Sequence, residues 1–331
     1  MRIGIVTPAP PGSTYGNRVT ALRWAGILRR LGHRVSILQT YDARPHELLI
    51  ALHARRSHSS IKRFHDHHPT APIIVALTGT DLYRDFRNNH LAQKSLASAT
   101  RIVVLQPKAL EKLPPELRDK TQVIYQSVEN LPKSSGSGGT KKHARQQKSS
   151  DSPLNNFDVS IIGHLRPVKD PFRAAFAARL LGSSSRIRIL QIGGAMTTAM
   201  FDRAKAEARG NPRYHWLGQQ SKARTFWILS QSQLCVIPSR IEGGANSLSE
   251  AIVASVPVLA SRIDGNVGIL GRDYPGLFKA GDTRQLSRLM TRAETDSKFL
   301  TELREHIKKL APLFAPAREE RAWARLIRGL R

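Results

Sequence analysis

PSRIEGGANSLSEAIVASVPVLAS, residues 238–261, sets two carboxylates, Glu242 and Glu250, eight residues apart around a glycine pair that opens a helix. The run 234–237 before it reads as a buried strand, Gly243 and Gly244 let backbone approach a ligand closely, and 247–254 carries helical periodicity. Strand, glycine turn and helix in that order aim backbone N–H groups at an anion, the shape of a nucleotide-sugar site. A second reading makes Ser247 and Glu250 a capping box, S-x-x-E, and leaves Glu242 as a solvated loop acid.

The same unit recurs along the chain. Apolar runs at 3–6, 35–38, 48–52, 73–77, 102–105 and 123–125 alternate with helical patterns, notably 18–31 ending at Gly32. Alternation restarts with strands at 159–162, 187–192, 234–237 and 256–260. Such βα repetition predicts an α/β protein with parallel sheets. Between the two series, PKSSGSGGTKKHARQQKSSDSPLNN at 132–156 has almost no apolar side chain and reads as a flexible basic linker. The expected organisation is an N-terminal domain at 1–131, the linker, a second domain at 157–310, and a C-terminal helix within 311–331 that can cross back to the first domain. Two doubly wound halves then face each other across a cleft at their strand C-terminal edges.

Composition narrows the partners. With 331 residues, two cores are expected rather than one. The 52 Lys and Arg against 25 Asp and Glu give a formal charge of +27, which calls for anionic partners without identifying them. The single cysteine, Cys235, lies in an apolar run, so neither a disulfide framework nor a thiolate metal site is expected. The chain opens at once on strand-like IGIV, and no apolar run reaches spanning length. A soluble, cytoplasmic protein without membrane insertion is expected. The histidines of FHDHHP, 64–69, stand in a polar stretch and predict no metal.

Four further loops at strand ends carry anion-binding chemistry. PAPPGSTYGNRVT, 8–20, has Gly12 and Gly16 for tight turns, with the amides of Asn17 and Arg18 placed to meet a phosphate, although it is neither a G-x-G-x-x-G nor a Walker loop. In GHLRPVKD, 163–170, Arg166 and Lys169 can meet a diphosphate, as a fork and as a point charge, and offset charge on a nucleoside-diphosphate leaving group. In LLIALHARRS, 48–57, a strand ends in His53, Arg55 and Arg56, which can cradle a small anion. In VALTGTDLYRD, 75–85, Thr78, Gly79, Thr80 and Asp81 can bind phosphate oxygens, or Thr80 or Asp81 can cap a helix. For each loop, a plain structural or solvated basic turn is the competing reading.

Together these motifs resemble the family-4 glycosyltransferases, whose GT-B fold pairs two Rossmann-like doubly wound domains across a cleft. The most specific part is the Glu, seven residues, Glu spacing of Glu242 and Glu250, followed by the A-x-x-A-S-V-P-V-L-A-S segment at 251–261. The resemblance implies that Glu250 binds ribose hydroxyls and that Glu242, with the amides of Gly243, Gly244, Ala245 and Asn246, holds the donor sugar. It places Lys169 at the diphosphate. His164 stands where a basic residue usually follows the glycine, so Arg166 takes that duty. Leu217 and Gly218, in HWLGQQ, match the segment whose backbone reads the base, and Gly16 and Asn17 complete the UDP-sugar set. Glu242, Lys169 and Arg166 are the implied catalytic residues.

A closer resemblance is to the selenosugar synthases of selenoneine biosynthesis, carried by GNRVTALRWA, LHARRS, ALTGTDLYRD, VLQPKAL, VIYQS, GHLRPVKDP, NPRYHWLG, SRIEGGAN and VLASRIDGNVGILGRDYPG. It implies UDP-N-acetylglucosamine or UDP-glucose as donor, selenophosphate as acceptor, a selenophosphate synthetase as a functional partner, and no further cofactor. Thr78 stands in the loop where many relatives carry a histidine that helps a hydroxyl acceptor. Selenophosphate is anionic and its selenium strongly nucleophilic, so anion binding outweighs the need for a base. Arg18, His53, Arg55, Arg56 and the loop Thr78, Gly79, Thr80 and Asp81 are the expected acceptor ligands. Two other functions are set beside this one: a glycosyltransferase acting on a lipid or another small molecule, and a nucleic-acid-binding protein. Against the last, aromatics are 6% and no nucleic-acid motif is present, so no specific nucleic acid is expected.

Overall fold

The computed structural model describes residues 1–129 and 156–330. The linker read at 132–156 therefore lies outside the described residues, apart from Asn156. The first sheet holds β1 (Arg2–Val6), β2 (Arg34–Leu38), β3 (Leu48–Leu52), β4 (Ile73–Leu77), β5 (Arg101–Val104) and β6 (Thr121–Val123), in the order β2-β1-β3-β4-β5-β6. The second holds β7 (Phe157–Ile162), β8 (Ile187–Ile192), β9 (Tyr214–Trp216), β10 (Leu234–Ile237), β11 (Val258–Ser261) and β12 (Leu277–Phe278), in the order β12-β11-β10-β7-β8-β9. Every pairing is parallel. The expected pair of Rossmann-like doubly wound domains is what forms.

Both faces of these sheets are covered, which is why β3 and β4 are buried at every position and read as unbroken apolar runs. Strand order reverses between β1 and β3 in one sheet and between β7 and β10 in the other. Loops leaving strands at such a reversal open a crevice at the sheet's carboxyl edge. Four of the five loops singled out in the sequence, after β1, β3, β7 and β10, leave those strands.

Helix Gly16–Arg30 shows how local sequence seats one of them. Thr20, Ala21, Trp24, Ala25, Ile27 and Leu28 fall on one buried face, Arg29 and Arg30 lie in the last turn against the helix dipole, and Gly32 at φ +83° ends the helix in the left-handed region. Helix Pro316–Arg328 packs on it, with the Trp24 and Trp323 rings edge to face at 4.7 Å. Ala322, Trp323, Leu326 and Ile327 enter the core of the first sheet. The end of the chain is thus built into the first domain.

Candidate active site

The strand β10 ends at Ile237, and helix Asn246–Val253 begins after Ala245, which is extended and supplies no capping side chain. The capping box fails, because Ser247 lies inside the helix rather than ahead of it. Among the described residues no side chain caps the backbone amides of this helix start, while the glycine turn in front of it is pinned from the other domain. A Cβ on Gly243 would stand 2.5 Å from the Thr78 carbonyl, and one on Gly244 would stand 2.7 Å from the Leu105 Cβ. Glycine at both positions is what lets the two strand edges meet.

Glu242 leaves this turn almost buried, and its Oε1 accepts a hydrogen bond from Lys169 Nζ at 2.5 Å. Lys169 ends the short turn Pro167–Lys169 after β7, with Asp170 in the left-handed region behind it. The structure thus joins two predicted residues 73 positions apart. Arg166, at the start of the same turn, is exposed and forms no ion pair or side-chain hydrogen bond among the described residues. His164 bridges to the first domain, its Nε2 at 3.0 Å from Thr14 Oγ1 and its ring edge to face with Tyr15. Its Nδ1 is buried without a hydrogen-bond partner among the described residues.

Glu250 is partly buried, and desolvation pushes its carboxyl up to about 7, with Lys222 and Arg23 opposing the rise. Arg23 comes from helix Gly16–Arg30 and places both terminal nitrogens 3.5 Å from Asn246 Oδ1. Sequence reasoning missed Arg23; its signal was its place beside Thr20, Trp24 and Ile27 on the buried face of that helix. Gly16 and Asn17 form the first turn of the helix, and Arg18 keeps a buried Nε without a hydrogen-bond partner among the described residues. In the segment expected to read the base, Leu217 N–H donates to Gln191 O at 2.9 Å, and the Gly218 carbonyl accepts from Gly193 N–H at 2.8 Å. The Leu217 carbonyl accepts from Gln220 Nε2 at 2.5 Å.

The expected acceptor loop is built differently from its reading. Asp81 is fully buried, and its carboxylate accepts hydrogen bonds from the amides of Thr78, Gly79 and Ala54. These amides are already saturated by the chain's own anion, so Thr78, Gly79 and Asp81 do not present an open phosphate nest. Nor does Asp81 act as a simple helix cap. His53, at φ +75°, puts Nε2 3.1 Å from Thr80 Oγ1 and accepts the Arg56 N–H on Nδ1. Both of its ring nitrogens are therefore engaged inside the loop pair. Arg55 and Arg56 are exposed.

Polar and charged residues that the sequence reading passed over line a cavity beside Glu242: Arg240, Arg262, Asp264 and, from the first domain, Tyr83. Single charges in loops give no periodic signal, and nothing short of the fold brings 83, 240 and 262 together. Among the described residues, no group of three His, Cys, Asp or Glu could hold a metal, and no helix is long and apolar enough to cross a membrane.

The family model described as Glycosyl transferases group 1 matches residues 142–312. Among solved structures, Anabaena Alr3699/HepE in complex with UDP-glucose aligns with a TM-score of 0.75 at 13% identity, over 99% of this chain and all of that one. The sucrose-phosphate synthase of Thermosynechococcus elongatus gives 0.76 at 14% identity, over 99% and 98% of the two chains. A glycosyltransferase of Rickettsia africae gives 0.71 at 12%, again over 99% and 98%. The architecture is the GT-B fold.

Proposed function

The chain belongs to the group 1 glycosyl transferases, and on that premise we propose that it transfers glucose or N-acetylglucosamine from the UDP-sugar to selenophosphate. The observation that carries the donor half is the Lys169–Glu242 pair at the point where strand order reverses, beside an uncapped helix start. In this reading Glu242 holds the sugar with the amides of Gly243 to Asn246, and Glu250 holds the ribose. Lys169 and Arg166 offset the charge that gathers on departing UDP. The HepE structure that aligns end to end was solved with UDP-glucose, which supports a uridine donor here.

Selenophosphate is supported by the run of selenosugar-synthase segments and by the loop 78–81, where a threonine stands in place of a base. The selenium lone pair attacks C1, the C1–O bond to UDP breaks, and its electron pair leaves on the β-phosphate oxygen. Water then takes the phosphoryl group from selenium, giving inorganic phosphate and a 1-selenosugar. A selenophosphate synthetase would supply the acceptor. Incubation of purified protein with UDP-GlcNAc or UDP-glucose and selenophosphate is expected to release UDP with a selenium-containing sugar detectable by mass spectrometry. Protein that binds the UDP-sugar yet yields no such product would sink the reading.

Donor affinity should depend on pH through Glu250. A carboxylate accepts from two ribose hydroxyls only when ionised, and here ionisation waits until about 7. The KM for the UDP-sugar is therefore expected to fall as pH rises from 6 to 8, and Glu250→Gln to abolish that step. For folding the sign is opposite: native Glu250 holds its proton longer than the unfolded chain does, so its contribution to stability declines as pH rises toward about 7.

A second reading, transfer to a lipid-linked acceptor, is favoured by exposed Tyr15, Val19 and Leu22, spaced along one face at the start of a helix that also carries Arg18, Arg29 and Arg30. It predicts salt-sensitive co-sedimentation with anionic vesicles that Leu22→Ser weakens.

A further inference from the structure

With the Thr78–Asp81 nest filled by its own carboxylate, a small anionic acceptor needs another seat beside the donor sugar. The cavity against Glu242 measures about 310 Å³, at the small end for ligand pockets. Its walls carry two arginines, Arg240 and Arg262, and two carboxylates, Glu242 and Asp264. Arg262 gives one N–H to the Arg272 carbonyl at 3.0 Å and meets no carboxylate among the described residues. Arg240 lies 3.6 Å from Asp170, but that carboxylate already takes Arg173 at 3.0 Å, so one acid serves two guanidinium groups. The acids in the wall are spent: Glu242 on Lys169, and Asp264 on Lys112 at 2.8 Å and Lys108 at 3.6 Å.

Tyr83 closes the cavity from the first domain. It sits in a π-helical turn, Asp81–Asp85, a geometry frequent at functional sites. Its oxygen accepts from Gln106 Nε2 at 2.7 Å, and among the described residues its own proton has no acceptor. Burial raises the phenol well above its ordinary range, so that proton stays in place to be donated.

The geometry points to this cavity as the seat of a small tetrahedral oxyanion, held by Arg240, Arg262 and the Tyr83 hydroxyl on the Glu242 side of the donor sugar. That the oxyanion is the acceptor rests on the function proposed above; the binding site itself does not. Two forked cations converging on one anion suit an oxyanion better than a neutral hydroxyl compound, because each N–H donor needs an acceptor once water is displaced.

Calorimetric titration of the full chain, saturated with UDP, with inorganic phosphate tests the site directly, beside steady-state kinetics with selenophosphate. The double variant Arg240→Ala/Arg262→Ala is expected to lose about tenfold to a hundredfold in phosphate affinity and to raise the selenophosphate KM by the same factor, with the UDP-sugar KM within about twofold. Tyr83→Phe should cost about threefold to tenfold, and the double lysine variant should recover part of the loss. A wild-type protein that binds no phosphate, or a double variant that binds it as tightly as wild type, overturns the site. If wild type binds phosphate but makes no selenosugar, the proposed acceptor fails, while loss of phosphate binding in the double variant still upholds the site.

Discussion

Lys169→Ala is expected to lower the turnover of UDP-sugar by about a hundredfold to a thousandfold, the cost of removing one charge-stabilising donor at a developing anion. Two effects add in this variant. The ammonium proposed to meet the leaving diphosphate is lost, and Glu242, almost buried and bonded to Lys169 at 2.5 Å, loses its counter-charge. Glu242 must then either take up a proton or stay charged in a poorly hydrated site, and both outcomes weaken its grip on the donor sugar. Under the proposed function, the Lys169–Glu242 bond means that a donor would enter a pre-paired site, its diphosphate drawing the ammonium away as its sugar hydroxyls replace that ammonium at the carboxylate. Because the residues act as a pair, Lys169→Ala and Glu242→Ala should be far from additive, the double variant losing little more than the worse single. UDP release and the thermal midpoint of each variant check this. Turnover of Lys169→Ala within about threefold of wild type, with the fold intact, would remove Lys169 from the chemistry.

What could be read from the sequence tracks what is local. Strands β3 and β4 are buried on both faces and show as unbroken apolar runs, so their places and the doubly wound class were plain. The edge strands β9 and β12 span three and two residues, too short for any period, and were not found. Helix Gly16–Arg30 was legible to within two residues because Gly32 ends it and one face is apolar. The Glu242 and Glu250 loop was legible as strand, turn and helix, yet whether Glu250 capped the helix or faced outward depended on where the helix began, a matter of two residues. Asp81 shows the limit on chemistry. Sequence placed it rightly in a polar loop at a strand end, but a short acid beside a glycine can bind a ligand's partners or fill their place. Only the convergence of the Ala54, Thr78 and Gly79 amides decides for the second. Arg240, Arg262 and Tyr83 meet across two domains, and no spacing encodes that.

Glu319→Ala is expected to be the most damaging single change to stability outside the cleft, lowering the midpoint of the first domain's unfolding by about 10 °C. Glu319 is 1% exposed in helix Pro316–Arg328, far along the chain from the residues it serves. Its Oε1 accepts from Trp24 Nε1 at 2.8 Å, its Oε2 from the Ser127 amide at 2.8 Å and the Ser127 hydroxyl at 2.5 Å, and Arg23 Nε stands 3.4 Å away. Alanine leaves three buried donors unmet and a largely buried guanidinium without its acid, a loss of about 3–5 kcal/mol for a broken buried pair. Glu319→Gln keeps the shape and one acceptor oxygen but turns an NH2 group toward a donor, so it should fall between alanine and wild type. A second readout separates this carboxylate from mere packing. Arg23 links it to Asn246 at the helix start of the proposed donor site, so freeing Arg23 should also raise the UDP-sugar KM. Trp323→Phe, which trims the packing and leaves the carboxylate in place, should lower the midpoint without that rise. Calorimetry with donor kinetics on the three variants decides the matter, and a Glu319→Ala protein that melts within about 2 °C of wild type would show that the C-terminal helix is held by its apolar face alone.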